Sequence, residues 1–347
     1  MRIAMVAPPW IPIPPPAYGG IEEMVKLLAR ELAARGNTVA LAAAPGSDVP
    51  EADLITPLEQ VPDQIGRSHE EWLHLARALG DLEDADVLID HSGPAGALLA
   101  ARSGIPSLHV THGPLVGEAG EIYRHLVDGE EPVRLVAISE AQRQSAPDLP
   151  WIGVCYNGID VDAVLFRERP EGYLLFLGRL APEKGAAESI TIAREVGLPL
   201  LIAAKCREPS EQAYFEAHIE PELGPDVRWL GEVGAADKYE LLGGARALVF
   251  PIAWQEPFGM VMVEAMACGT PVLATPRGSV EEVVVDGETG FIREEPEALA
   301  EAAGRLGEID RHRCRAHVAS HFTAETMCDG YERVIHRLLE PAAAPPV

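Results

Sequence analysis

Lysine is scarce in this 347-residue chain: four residues, at positions 26, 184, 205 and 238, stand against 24 arginines. A GC-rich genome gives such a bias, but the scarcity makes the place of each lysine informative. Basic stretches are missing as well. The formal net charge is −26, and residues 1–165 carry 10 Lys+Arg against 24 Asp+Glu. With no basic stripe in either half, nucleic acid is excluded as a partner, and so is strong membrane association. No apolar run approaches the roughly 18–20 residues of a spanning helix. The apolar start Met1–Ala7 is cut off by Pro8-Pro9. It is too brief for a signal-peptide core, so a cytoplasmic location is expected. The five cysteines are odd in number and widely spaced, with no Cys-x-x-Cys. They read as reduced, buried thiols, not as a disulfide framework or a zinc site. Neither Gly-x-Gly-x-x-Gly nor Gly-x-x-x-x-Gly-Lys-[Ser/Thr] occurs in the first loop, which removes the main support for a dinucleotide or P-loop reading.

What is present is globular: 47% hydrophobic and 24% charged, in a length that suits two domains. Short β-branched runs alternate with amphipathic stretches such as Ile21, Met24, Val25, Leu28 and Leu32. Strands are expected near 2–7, 38–43, 86–90, 107–110, 134–138 and 151–155, then near 173–177, 199–203, 226–229, 247–250 and 271–274. Such alternation argues for parallel sheets covered by helices on both faces. The fold class is α/β: two Rossmann-like, doubly wound domains facing a cleft. The expected division is 1–165, 166–322 and 323–347, the last a helix with a frayed tail. The pattern breaks near Asp162–Glu171. Ligands of such sheets sit at the carboxyl ends of the strands, so the loops after strands are the places to search.

Three loops stand out. The first runs from Pro8 to Gly20, stiffened by prolines and closed by Tyr18-Gly19-Gly20 at a helix start, where free N–H groups make an anion or sugar site. In the second, the strand Leu175–Gly178 opens into Arg179, with Lys184-Gly185 following. Two cations beside helix-terminal N–H groups suit a diphosphate leaving group. The third is Phe250–Pro271. Glu256 precedes a helix expected to begin near Pro257, and Glu264 is the lone polar residue between Met260 and Cys268. A carboxylate on so apolar a helix needs partners, for which ribose hydroxyls or a structural arginine would serve. Eight residues of helix would rise ~12 Å, too far for the paired carboxyls of a glycosidase. The two glutamates suit two parts of one extended ligand.

The chain resembles the retaining glycosyltransferases of the GT-B fold in glycosyltransferase family 4. The matching elements are Tyr18-Gly19-Gly20, Thr111-His112-Gly113, Asn157-Gly158-Ile159-Asp160, Gly178-Arg179 with Lys184-Gly185, Gly231-Glu232-Val233 and Glu256-x7-Glu264, in family order. The resemblance implies an acceptor-side domain at 1–165, a nucleotide-sugar domain at 166–322 in which Arg179 and Lys184 hold the diphosphate and Glu264 the ribose, and a last helix, within 323–347, packed back on the first domain. Gly231, Glu232 and Val233 would lie by the base. Glu256 and the backbone of Phe258, Gly259, Met260 and Val261 would touch the donor sugar, with Gly19 and Gly20 also on the donor. It implies that His112 lies near the reacting sugar. Tyr18 and His91 are acceptor-side candidates, and His109, inside a strand, reads as a core residue. Asp84-Ala85-Asp86 and Asp160-Val161-Asp162 match a metal-diphosphate pattern but read as chance in so acidic a chain, and Glu282 reads as supporting structure. The expected catalytic set is Glu256, His112, Arg179 and Lys184, with no metal and no resident cofactor.

The activity expected is transfer of a sugar from a nucleotide-sugar, with uridine favoured as base, to the hydroxyl of a small-molecule or glycan acceptor. The competing readings are a sugar-nucleotide epimerase on the same architecture and an inactive nucleotide-sugar-binding protein.

Overall fold

A computed structural model describes residues 1–17, 19–127 and 134–340. Tyr18 and the tail after residue 340 lie outside them. The chain divides into two compact units. The first holds residues 1–15 and 19–158 together with those from Ala324 onward, and the second holds 159–323 with residues 16 and 17.

The first unit alternates β1 (Arg2–Val6), α1 (Gly20–Ala34), β2 (Thr38–Ala42), β3 (Asp53–Ile55), α2 (Ser68–Asp81), β4 (Val87–Asp90), α3 (Pro94–Ala101), β5 (Ser107–Val110), α4 (Glu118–Val127), β6 (Arg134–Ala137), α5 (Glu140–Ser145) and β7 (Trp151–Val154). Its strands form one sheet in the order β3-β2-β1-β4-β5-β6-β7, every pair parallel. The second unit follows with β8 (Leu174–Arg179), α6 (Ala186–Val196), β9 (Leu200–Lys205), α7 (Pro209–Tyr214), β10 (Val227–Gly231), α8 (Ala235–Gly244), β11 (Ala247–Phe250), α9 (Met260–Ala267), β12 (Val272–Ala274), α10 (Val280–Val283), β13 (Gly290–Ile292), α11 (Pro296–Ala303) and α12 (Arg311–His321). Its sheet order is β10-β9-β8-β11-β12-β13, again all parallel. The last helix, α13 (Ala324–Leu339), belongs to the first unit.

Central strands are buried almost throughout, as β4 and β11 show, because helices cover both faces of each sheet. The expected strands all form, with ends within two residues of the sequence reading. The sequence reading missed β3 and β13. Each is three residues long and sits at a sheet edge, and Asp53 and Leu54 of β3 are exposed, so no periodic apolar pattern marks them. In the first unit, α13 lies against β7 at Gly153, where an added Cβ would come within 2.5 Å of Val334. Arg35, just after α1, bonds Glu332 at 2.6 Å and Asp329 at 2.7 Å on the same helix.

Helix α12 carries little apolar surface, yet its arginines staple the segment at the start of the second unit. Arg315 donates to the carbonyls of Val161, Val164 and Ala267. The buried Arg311 donates to the carbonyls of Arg167, Ala245 and Gly243 and to Thr270 Oγ1, at 2.7–3.0 Å. Among the described residues no carboxylate pairs with it; four oxygens share its charge. Replacement by methionine strands several buried acceptors at once, each worth about 1–3 kcal/mol. Arg311→Met should therefore lose about 3 kcal/mol or more in urea unfolding, whereas exposed Arg194→Met should lose under about 1 kcal/mol.

Candidate active site

In the second unit three loops after strands converge. Gly185 has φ +79°, and a Cβ there would stand 2.3 Å from the carbonyl oxygen of Pro251. Only glycine allows that approach. It sets the β8–α6 loop directly on the residues following β11, and Ala253 N donates to Glu183 O across the same seam at 2.9 Å. A second seam lies on the far side. Gly278, at φ +60°, would place a Cβ 2.2 Å from Glu256 O. Ser279 N donates to Glu256 O, Ser279 Oγ to Phe258 O, and Gly278 N to Gln255 Oε1. The loop carrying Glu256 is thus gripped by two glycine contacts and by Ser279.

These contacts bring Lys184 and Glu256 together. Lys184 Nζ donates to Glu256 Oε2 at 2.8 Å, and Trp254 Nε1 donates to the same oxygen at 3.0 Å. The ammonium also sits 4.0 Å from the centre of the Trp254 ring, a favourable cation–π geometry. Burial pushes the Lys184 amine below its ordinary value, and the Glu256 carboxylate opposes that shift. Glu256 Oε1 takes no hydrogen bond among the described residues and remains available for hydroxyls. Arg179, at the end of β8, faces Glu183 at 3.5 Å and Glu211 at 3.7 Å without a hydrogen bond. Its guanidinium makes no hydrogen bond among the described residues.

Two sequence expectations need correction. The helix of the third loop begins at Met260, not near Pro257, because Gly259 takes a left-handed conformation (φ +76°, ψ 61°) just before it. Residues 256–259 are therefore not helical, and a helical rise does not measure the separation of Glu256 from Glu264. What distinguishes the two carboxylates is their partners. Glu264 is not lone: Lys238 Nζ on α8 lies 2.6 Å from its Oε1. The partner is a lysine, not an arginine. Phe258 is fully buried with its ring edge-on to Phe322 at 5.8 Å, so its side chain belongs to the core. Met260 and Val261 form the first turn of α9, where backbone N–H groups lack intrahelical acceptors. Gly231 ends β10 with φ +77°, and Glu232 pairs with Arg207. Val233 follows in the same loop.

In the first unit, β4 and β5 deliver the histidines. His91 continues the β1 ladder through His91 N to Val6 O, and its Nδ1 lies 3.1 Å from His112 Nε2. Burial holds both rings neutral, with His112 lowered to about 3. One ring nitrogen therefore donates and the other accepts. His109 is held on both sides, by Asp90 Oδ2 at 2.6 Å and Tyr123 Oη at 2.8 Å, and is a core residue. Asp90 also accepts from Ser92 N and Oγ. Gly19 is confined by space: a Cβ would meet Pro15 at 2.5 Å and Glu22 Oε2 at 2.9 Å. Gly20 opens α1. The two Asp-x-Asp patterns make local contacts. Asp84 and Asp86 bind Arg2, and Asp160 Oδ1 caps Ala163 N. Among the described residues no cluster of three or more His, Cys, Asp or Glu is arranged to hold a metal ion.

Several residues that touch the candidate site residues or stand beside them escaped the sequence reading. Gln142 spans the His112 loop, donating to Thr111 O and Gly113 O and accepting from Ile138 N and Thr111 Oγ1. A signal existed, since Ser139-x-x-Gln142 is a capping-box pattern. Ser139 does cap Gln142 N, but the glutamine turns to the loop instead. Trp254, Gln255, Gly278, Ser279, Lys205 and Glu211 carry no local signature that separates them from packing residues.

Two outcomes follow from this geometry. Lys184→Met and Glu256→Gln should each cost about 2–4 kcal/mol, and the double variant less than their sum by about 1–3 kcal/mol, in a denaturation double-mutant cycle. Additive losses would show that the pair is not coupled. Glu22, buried in the first turn of α1, has its carboxyl pushed up to about 7 by burial. Its folded-state value lies above its unfolded one. Its contribution is therefore full at low pH and falls as pH rises from about 4.5 to about 7, by about 3 kcal/mol in all. Glu22→Gln should remove that slope, so the variant gains on the parent between pH 5 and pH 7.5 in urea midpoints.

The family model described as Glycosyltransferase Family 4 matches residues 18–163, and that described as Glycosyl transferases group 1 matches residues 162–317. The chain is 28% identical over 343 residues to a phosphatidyl-myo-inositol mannosyltransferase of Mycobacterium tuberculosis, covering 84% of this chain and 82% of the relative. Among solved structures it resembles AviGT4, a glycosyltransferase involved in avilamycin A biosynthesis (TM-score 0.72, 24% identity, 97% of this chain and 98% of that one). It also resembles Anabaena Alr3699/HepE in complex with UDP and glucose (TM-score 0.76, 19% identity, 97% and 99% covered). At these identities the structural likeness speaks to the fold. With two Rossmann-like units, paired cation and carboxylate at the strand ends, and adjoining family models along most of its length, the chain belongs to the GT-B glycosyltransferases of family 4 and is a glycosyltransferase.

Proposed function

We propose that the protein moves a sugar from a nucleotide-sugar, with UDP as the leaving group, to an acceptor hydroxyl, retaining the anomeric configuration and using no metal ion. The observation that carries this reading is the meeting of Lys184 and Glu256 beside the open Arg179 guanidinium. Cations for a departing diphosphate and a carboxylate for sugar hydroxyls stand within one loop cluster. Arg179 and Lys184 neutralise charge that develops on the leaving phosphate. Glu256 Oε1 orients the sugar. Glu264, with Lys238, takes the ribose, and Gly231, Glu232 and Val233 adjoin the base. In the first unit His112 acts as a neutral hydrogen-bonding group. The bond from the anomeric carbon to the phosphate oxygen breaks as that from the acceptor oxygen forms on the same face. The acceptor's proton passes to the departing diphosphate. The UDP assignment draws support from the UDP-bound state of the Anabaena structural neighbour.

The test incubates the protein with a panel of UDP-, GDP- and ADP-hexoses, with and without sugar and polyol acceptors, and reads products by NMR. Transfer that needs acceptor and gives the donor's anomeric configuration is expected. An inverted product overturns the retaining mechanism, and change of the donor sugar without acceptor would indicate an epimerase. Arg179→Ala and Lys184→Ala should each lower kcat by about 10²–10³-fold.

A further inference from the structure

Lys205 ends β9 in register with Arg179 at the end of β8. Residues paired across parallel strands share a face, so both cations leave the sheet on the same side. The lysine side chain is only 10% exposed. A buried ammonium has three donors to satisfy, yet Lys205 Nζ makes no hydrogen bond among the described residues. Its nearest carboxylate oxygens are Glu208 Oε1 at 3.8 Å and Glu211 Oε1 at 4.0 Å.

Glu211 explains how the ammonium is kept there. This carboxylate is 2% exposed, and its Oε2 accepts from Arg207 N and Glu208 N at the start of α7. Its other oxygen, Oε1, is buried and takes no hydrogen bond. Arg179 Nη1 stands 3.7 Å from that oxygen and Lys205 Nζ 4.0 Å. Had the lysine served only to neutralise Glu211, contact at about 2.8 Å would be its stable arrangement. Instead one carboxylate holds two cations at attractive but non-bonding range, and both keep donors open at the carboxyl ends of adjacent strands.

Resting on the function proposed above, we infer that Lys205 is a third cationic contact for the phosphates of a nucleoside diphosphate, set beside Arg179 by the shared carboxylate of Glu211. Strand β9 lies between β10, whose end adjoins the proposed base position, and β8, which carries Arg179. A nucleotide reaching from base to leaving phosphate passes over Lys205. Glu211 is a positioning residue that touches no ligand.

The experiment compares binding of UDP, GDP and ADP to the intact wild-type protein by calorimetry, then takes the tightest of them and its nucleoside to variants. Lys205→Gln should weaken diphosphate binding by about 10- to 100-fold and leave the nucleoside within about twofold, while Lys205→Arg stays within about threefold for both. Unchanged diphosphate affinity in Lys205→Gln, or equal losses for nucleoside and diphosphate, overturns the inference alone. A wild-type protein that binds none of the three diphosphates overturns the functional reading and this inference with it. Should Lys205→Gln fail to fold, the wild-type protein labelled at lysine Cε decides the matter, since four lysines give four resonances. The Lys205 resonance should move with the diphosphate and stay with the nucleoside. A resonance unmoved by saturating diphosphate overturns the proposal.

Discussion

The second unit's chemistry depends on one steric fact: Gly185 has no side chain where the carbonyl of Pro251 passes. That absence lets two loops from neighbouring strands share a backbone seam, and the seam sets the reach of Lys184 to Glu256. Gly278 repeats the device on the other side of Glu256. A flexible loop could present the same carboxylate, but it would lose orientational freedom with every ligand bound. Here the order is built into the fold, by backbone contacts between loops, and the side chains inherit it.

The ion pair so formed balances two opposing tendencies. Burial disfavours the Lys184 ammonium, and the Glu256 carboxylate offsets part of that cost. Trp254 completes the arrangement from the side, with its N–H on the carboxylate and its ring beneath the ammonium. One carboxylate oxygen is thereby doubly bonded and the other left open. The first unit uses a comparable economy. Gln142 spends its side-chain hydrogen bonds on the backbone of Thr111, Gly113 and Ile138 and on the Thr111 hydroxyl, so His112 stands on a fixed support while its ring pairs with His91.

Much of this was legible in the sequence, for reasons that also mark the limits. Strand positions follow from short buried runs and survive in eleven cases; β3 and β13 escape because three residues at an edge carry no periodicity. Arg179, Lys184, Glu256 and Glu264 are readable because charge in an apolar context is costly and so informative. Their partners are not. Nothing in the local sequence tells Lys238 to reach Glu264, since α8 and α9 are joined only in three dimensions. The same holds for Lys205 and Glu211, six residues apart, which no local pattern separates from the charged residues around them. The start of α9 was misplaced because a proline at a first-turn position is a common sign, whereas the left-handed Gly259 that overrides it shows only in the backbone.

The pairing of Lys184 with Glu256 has a consequence for how the protein meets an anionic substrate. With Lys184 paired to Glu256, the loop cluster offers little excess positive potential, and the molecule around it carries a formal charge of −26. For the donor proposed above, approach is uphill at long range and favourable only on contact, once cation and carboxylate exchange partners. Added salt shortens the reach of the repulsion more than it weakens the contact. Capture should quicken as ionic strength rises, the reverse of the behaviour of enzymes that draw phosphates in through a basic funnel.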